Sequence, residues 1–142
     1  INNAVAAVSS KAEYQNMAPV EIACPEQFKI KANFSLLELA LINLVDNAVK
    51  YGNNRNIKVA VECNSAECRI SVTDHGLGIA PEHLERLVER FYRVDKGRSR
   101  QTGGTGLGLA IVKHIALVHK GHLEVQSTIG EGSMFVLVLP LG

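Results

Sequence analysis

The stretch Gly103-Gly104-Thr105-Gly106-Leu107-Gly108-Leu109 decides how this chain is read. Four glycines within six residues run into an apolar-periodic segment that reaches Lys120-Gly121. Glycine lets backbone N–H groups approach an anion, and the positive end of the helix that follows favours phosphate there. The same composition also makes plain turns. The phosphate reading gains weight from three companions: Asn43-Leu44-Val45-Asp46-Asn47-Ala48, Asp74-His75-Gly76-Leu77-Gly78-Ile79 and Phe91-Tyr92-Arg93.

Working outward, Ser35 and Glu38 fit a capping box and Asn33 is a rival cap. Either opens a helix that runs to about Tyr51 and is closed by Gly52-Asn53-Asn54. Upstream, alanine-rich residues 1–16 read as a helix, and Val20–Ala23 and Phe28–Lys31 read as short strands separated by Pro25. Ile57–Glu62 and Arg69–Thr73 alternate apolar and polar positions around a turn, which predicts a hairpin. Pro81 suits the first turn of a short helix over Glu82–Glu89. Residues 95–105 have the composition of a mobile loop. A helix is expected from about Gly106 to Lys120, with Gly121 as its left-handed stop. His122–Ser127 and Ser133–Leu139, joined through Gly130-Glu131-Gly132, complete a second hairpin. Hairpins mixed with separated helices predict one sheet with helices on one face, an α/β sandwich.

The 142 residues suffice for a single domain with a real core. A net charge of +1 offers no basic surface for nucleic acid. Cys24, Cys63 and Cys68 make neither a closed disulfide framework nor a four-ligand metal pattern, so reduced cytoplasmic thiols are expected. Cys63 and Cys68 nevertheless flank a four-residue turn and can face each other across the hairpin. No apolar run approaches the roughly 20 residues needed to cross a bilayer, so direct membrane contact is not expected. The chain opens at Ile1 rather than Met, as expected of a piece of a longer protein whose anchor, if it has one, lies elsewhere.

On the 36–51 helix, Asn43, Asn47, Lys50 and Tyr51 share one face, because successive residues turn by about 100°. Leu37, Leu41, Leu44, Val45 and Ala48 form the neighbouring arc that packs on the sheet. Two mid-helix asparagines are poor helix formers, and a nucleotide with its metal would partner them; a solvated polar stripe is the plain alternative. Asp74, at a strand end, can accept a hydrogen bond from an exocyclic amine, while Gly76 and Gly78 let a flat ring lie on the backbone. An Asp-x-Gly sequence is also an ordinary turn. Lys96, Arg98 and Arg100 read either as a solvated charge run or as groups folding over a triphosphate.

In this order, the segments resemble the catalytic and ATP-binding domain of bacterial sensor histidine kinases. That family belongs to the superfamily of gyrase, heat-shock chaperone and mismatch-repair ATPases. Asn43–Tyr51 resembles its asparagine box, and Asp74–Ile79 its first glycine box. Phe91–Asp95 resembles the phenylalanine box, Gly104–Leu109 the second glycine box, and Gly130–Phe135 the closing turn before a strand. The resemblance implies a Bergerat-type fold over residues 1–142: one mixed, mainly antiparallel sheet of about five strands, with three main helices on one face. It implies that the Asn47 oxygen ligates Mg²⁺, that Asp74 fixes the adenine amino group, and that Tyr51 and Ile79 line the base pocket. Lys50 and Arg93 would offset phosphate charge. The backbone of Gly104, Thr105, Gly106, Leu107, Gly108 and Leu109 would cradle the anion, under an ATP lid spanning residues 91–105. Asn43 and Tyr92 belong to the same nucleotide-facing set, as do Gly76 and Gly78.

Gyrase-like members carry a glutamate where Asn43 stands, to activate water. An amide lacks that basicity, so hydrolysis loses its general base, whereas a neutral imidazole needs no deprotonation before it attacks phosphorus. The expected activity is therefore transfer of the ATP γ-phosphoryl group to a histidine. His75 departs from the asparagine or aspartate usual at its position, and His119-Lys120-Gly121 from a double glycine. None of the five histidines lies in the family's His-Glu acceptor motif. The acceptor is expected on a separate dimerisation domain of the same parent, with a response regulator served indirectly. A nucleotide-sensing binding module and an anti-sigma-factor-type serine/threonine kinase are the competing readings.

Overall fold

The computed structural model describes residues 1–10, 19–25, 29–90 and 107–141. Five strands form one sheet: β1 (Val20–Ala23), β2 (Ile57–Cys63), β3 (Glu67–Asp74), β4 (His122–Thr128) and β5 (Gly132–Pro140). Their spatial order is β1-β2-β3-β5-β4. β1 runs parallel to β2, and every other pair is antiparallel. The sheet is therefore mixed and mainly antiparallel, as expected.

Helices α1 (Asn2–Ser9), α2 (Phe34–Tyr51) and α4 (Gly108–Val118), with the short α3 (Pro81–Leu84), complete the described elements. Period-two alternation gives the sheet its buried face: Ile57, Val59 and Val61 on β2, Ile70 and Val72 on β3, and Phe135, Leu137 and Leu139 on β5. These side chains share one core with Ala40, Leu41, Leu44, Val45 and Ala48 of α2. Val112, Ile115 and Ala116 of α4 and Ala4 and Val8 of α1 complete it. The fold is an α/β sandwich. On the opposite face Val136 and Val138 are also buried, beneath an ion pair in which Arg69 of β3 reaches across β5 to Glu124 of β4.

Several local expectations are corrected. The cap of α2 is Asn33, whose side chain accepts from the Leu36 N–H at 3.0 Å; Ser35 lies inside the first turn. Residues 29–31 of the expected Phe28–Lys31 strand form no ladder. Alternation there reports only that Ile30 packs on the core. The helix after Pro81 stops at Leu84 and continues as separate i→i+3 turns, from Arg86 N–H to the His83 carbonyl and from Glu89 N–H to the Arg86 carbonyl. So short a charged segment cannot sustain helix nucleation. Residues 11–16 of the expected first helix and Gly106 lie outside the described residues.

The stop of α4 is Lys120, at φ 59°, not Gly121. Lys120 N–H donates to the Leu117 carbonyl and Gly121 N–H to the Ala116 carbonyl, the paired bonds of a Schellman motif. Gly121 is required for another reason: a Cβ there would lie 1.9 Å from the Val138 carbonyl oxygen. Finally, Cys63 and Cys68, Cα partners across β2 and β3, are joined as a disulfide, contrary to the expectation of reduced thiols for this pair. Cys24 is free.

Candidate functional site

The four polar positions singled out on α2 lie where their spacing placed them. Asn43, Asn47, Lys50 and Tyr51 are all partly buried, beside the fully packed arc of Leu44, Val45 and Ala48. The Asn43 amide donates to the Leu39 carbonyl at 2.9 Å, which leaves its oxygen unused by that bond. That oxygen would lie 3.0 Å from a Cβ on Gly108, so the N-terminus of α4 abuts the middle of α2. Asn47 makes no side-chain hydrogen bond among the described residues. Lys50 is ion-paired with Asp46 one turn earlier, at 3.0 Å, with both groups largely shielded.

Asp74 ends β3 and is one of two buried polar residues among those described, the other being Ser133. Its carboxylate accepts from the Gly76 N–H at 2.9 Å and from the backbone of Ser133. Burial pushes its pKa up from the ordinary aspartate value, and these two bonds and the neighbouring His75 only partly offset that. Among the described residues no cation is bonded to this buried carboxyl, so it keeps lone pairs able to receive a further donor.

The loop after Asp74 is pinned to the end of α2. A Cβ on Gly76 would fall 1.8 Å from the Tyr51 carbonyl oxygen and 2.9 Å from the Gly52 Cα. A Cβ on Gly52 would in turn meet the Asp74 Cβ at 3.5 Å. Arg55 donates to the His75 carbonyl at 3.4 Å, and the His75 ring bonds the Asn56 carbonyl at 3.0 Å. The carboxylate of one sequence motif thus stands at the end of the helix that carries the other motif's asparagines.

Gly78 takes the left-handed region at φ 72°, and Thr128 O would lie 2.2 Å from its Cβ, so the β4–β5 turn sits on the loop. The Ile79 N–H donates to the Ser127 hydroxyl at 2.7 Å, and its side chain packs against the core. Leu107 and Leu109 flank Gly108 at the start of α4, Leu109 on the core. Phe91, Tyr92, Arg93, Gly104, Thr105 and Gly106, and with them the expected lid at 91–105, lie outside the described residues.

Ser127 and Ser133 were not singled out in the sequence. Their only signal is position: one serine on each side of a glycine turn, and Cα partners in the β4–β5 register.

Residues 32–142 match the model of the histidine kinase-, DNA gyrase B- and HSP90-like ATPase family. The chain is 48% identical over 122 residues to the sensor-like histidine kinase SenX3 of Mycobacterium tuberculosis, covering 85% of this chain and 30% of that protein. It is 43% identical over 122 residues to the phosphate regulon sensor protein PhoR of Haemophilus influenzae, covering 85% and 29%. Among solved structures, a mycobacterial sensor histidine kinase, MprB, superposes with a TM-score of 0.80 at 27% identity, over 98% of this chain and 90% of that one. The chain spans about 30% of the length of the sensor kinases it matches in sequence.

Proposed function

This chain belongs to the histidine kinase-, DNA gyrase B- and HSP90-like ATPase family, and from that premise we propose that it is the ATP-binding catalytic domain of a two-component sensor histidine kinase. It transfers the γ-phosphoryl group of ATP to a histidine on a separate dimerisation domain of the same parent. The observation that carries this reading is the buried Asp74 carboxylate braced at the end of the helix bearing Asn43 and Asn47. The relatives bear names of sensor histidine kinases.

In this reading Asp74 accepts the adenine amino group, and Tyr51 and Ile79 flank the base. The first turn of α4 faces the phosphates, and Gly104, Thr105, Gly106, Arg93 and the 91–105 lid are assigned to the same role from their sequence motifs alone. Asn47 supplies an uncharged hard oxygen, which suits Mg²⁺. Mg²⁺ keeps several waters and is commonly bound through few protein ligands together with phosphates, so the ion would take its remaining ligands from phosphate and water. Bound there, Mg²⁺ would offset the charge of the triphosphate. Lys50 must share its ammonium with Asp46 or leave it to reach a phosphate.

Asn43 cannot act as a base for water, so this chain's residues favour positioning over hydrolysis. No described helix is long and apolar enough to cross a membrane. A cytoplasmic placement and indirect service to a response regulator follow from the kinase reading.

The test is transfer of label from γ-labelled ATP to the parent's dimerisation domain supplied separately. Acid-labile phosphohistidine is expected. Acid-stable label would indicate a serine/threonine kinase instead, and ATP binding without transfer would indicate a nucleotide-sensing module.

A further inference from the structure

The Ser127 hydroxyl joins three separate backbone segments. It accepts from the Ile79 N–H at 2.7 Å, lies 2.9 Å from the Gly132 carbonyl and 2.8 Å from the Ser133 hydroxyl oxygen. A serine hydroxyl offers one proton and two lone pairs. A carbonyl only accepts, so the Ser127 proton goes to Gly132. One lone pair is taken by Ile79, and the other then receives the Ser133 proton. The capacity of Ser127 is spent within the protein.

The effect falls on Ser133. It is buried, is the Cα partner of Asp74, and gives its backbone N–H to the Asp74 carboxylate. With its own proton directed at Ser127, the Ser133 oxygen presents only lone pairs elsewhere. Ionised Asp74 likewise only accepts. The two buried polar side chains at this strand end therefore form an acceptor-only pair. Such a pair rewards a ligand that offers N–H donors, and it penalises one that presents a carbonyl oxygen there, because like acceptors are left facing each other.

We infer that Ser127 is a positioning residue for base selection: by fixing the Ser133 proton it makes the wall around Asp74 accept an exocyclic amine and reject a carbonyl. This rests on the nucleotide-binding reading above. The same hydroxyl also clamps the 74–79 loop to the β4–β5 turn, so a merely structural role predicts equal weakening of all nucleotides.

The two roles separate by calorimetry of the 142-residue chain with ADP and with GDP. In Ser127→Ala the Ser133 hydroxyl is free to rotate, and the ratio of ADP to GDP affinity is expected to fall about tenfold. Ser127→Thr, which keeps the hydroxyl in a strand that tolerates β-branching, should restore the ratio. An unchanged ratio in Ser127→Ala, or failure of Ser127→Thr to restore it, overturns the inference. Should Ser127→Ala not fold, Ser133→Ala removes the oriented acceptor directly, and an unchanged ratio there overturns it equally. If the parent sequence binds neither nucleotide, the nucleotide reading itself fails and this inference with it. If the parent sequence discriminates and the variants still do, this inference alone fails.

Discussion

The Gly76 Cα faces the Tyr51 carbonyl oxygen so closely that a Cβ would stand 1.8 Å from it. No side chain fits without lifting the Asp74 loop off the end of α2. Gly76→Ala is expected to cost about 1–3 kcal/mol of stability through forced backbone displacement. It should also weaken ADP, because Asp74 moves with the loop. Thermal unfolding and calorimetry on the same variant check both effects.

Burial raises the Asp74 pKa above its value in the unfolded chain. Its contribution is therefore fully present below the ordinary aspartate range and is lost as pH rises through the raised folded value. At neutral pH the ionised carboxylate works against the fold. Asp74→Asn should unfold at higher temperature than the parent at pH 7, with the gain vanishing in acid, and should bind ADP more weakly. Lower thermal stability of the variant at pH 7 would mean that the Gly76 and Ser133 bonds outweigh the burial penalty.

For Asn47, replacement by alanine removes the amide oxygen assigned to Mg²⁺ while keeping helix propensity. ATP affinity should lose its dependence on Mg²⁺, and label transfer to a supplied dimerisation domain should stop. A Mg²⁺ titration that still strengthens ATP binding in this variant would place the ion elsewhere.

Between the two candidate caps of α2, the structure favours Asn33. Asn33→Ala should cost about 1 kcal/mol in denaturant unfolding, whereas Ser35→Ala should change little. The reverse ranking would restore the capping box. The Asn33 N–H also bonds the His119 ring at 3.0 Å, which ties this cap to the end of α4.

The Cys63–Cys68 bridge closes a loop with a sequence separation of 5 at the hairpin tip away from Asp74. For so small a loop the stabilisation is about 2 kcal/mol. Reductant should lower the melting temperature accordingly and leave ADP affinity unchanged, and the double Cys→Ser variant should be insensitive to reductant.

What was legible in the sequence was periodic. The α2 face with Asn43 and Asn47, the two hairpins and the strand-end Asp74 each follow from a repeat of 3.6 or 2 residues. What was hidden depends on partners distant in the chain. Ser127 meets Ile79, far earlier in the chain, only once the β4–β5 hairpin lies on the 74–79 loop, whereas the facing of Cys63 and Cys68 was visible in the hairpin and only their oxidation was not. Lys120 rather than Gly121 takes the left-handed position, and Gly121 instead lies against the Val138 carbonyl, a contact no local pattern announces.

The tip of the β2–β3 hairpin acts on the distant end of its strand. There the Asn64 side chain collects the N–H groups of Ala66 and Glu67, and the cysteine bridge fastens the pair beside it. Sliding β3 by a single residue would turn every side chain over, carrying Asp74 from the interior to the solvent. A fastening at one extremity therefore backs up a register that the eight-residue ladder from β3 to β5 already holds, so its loss is felt in the melting temperature before the carboxylate at the other extremity is displaced.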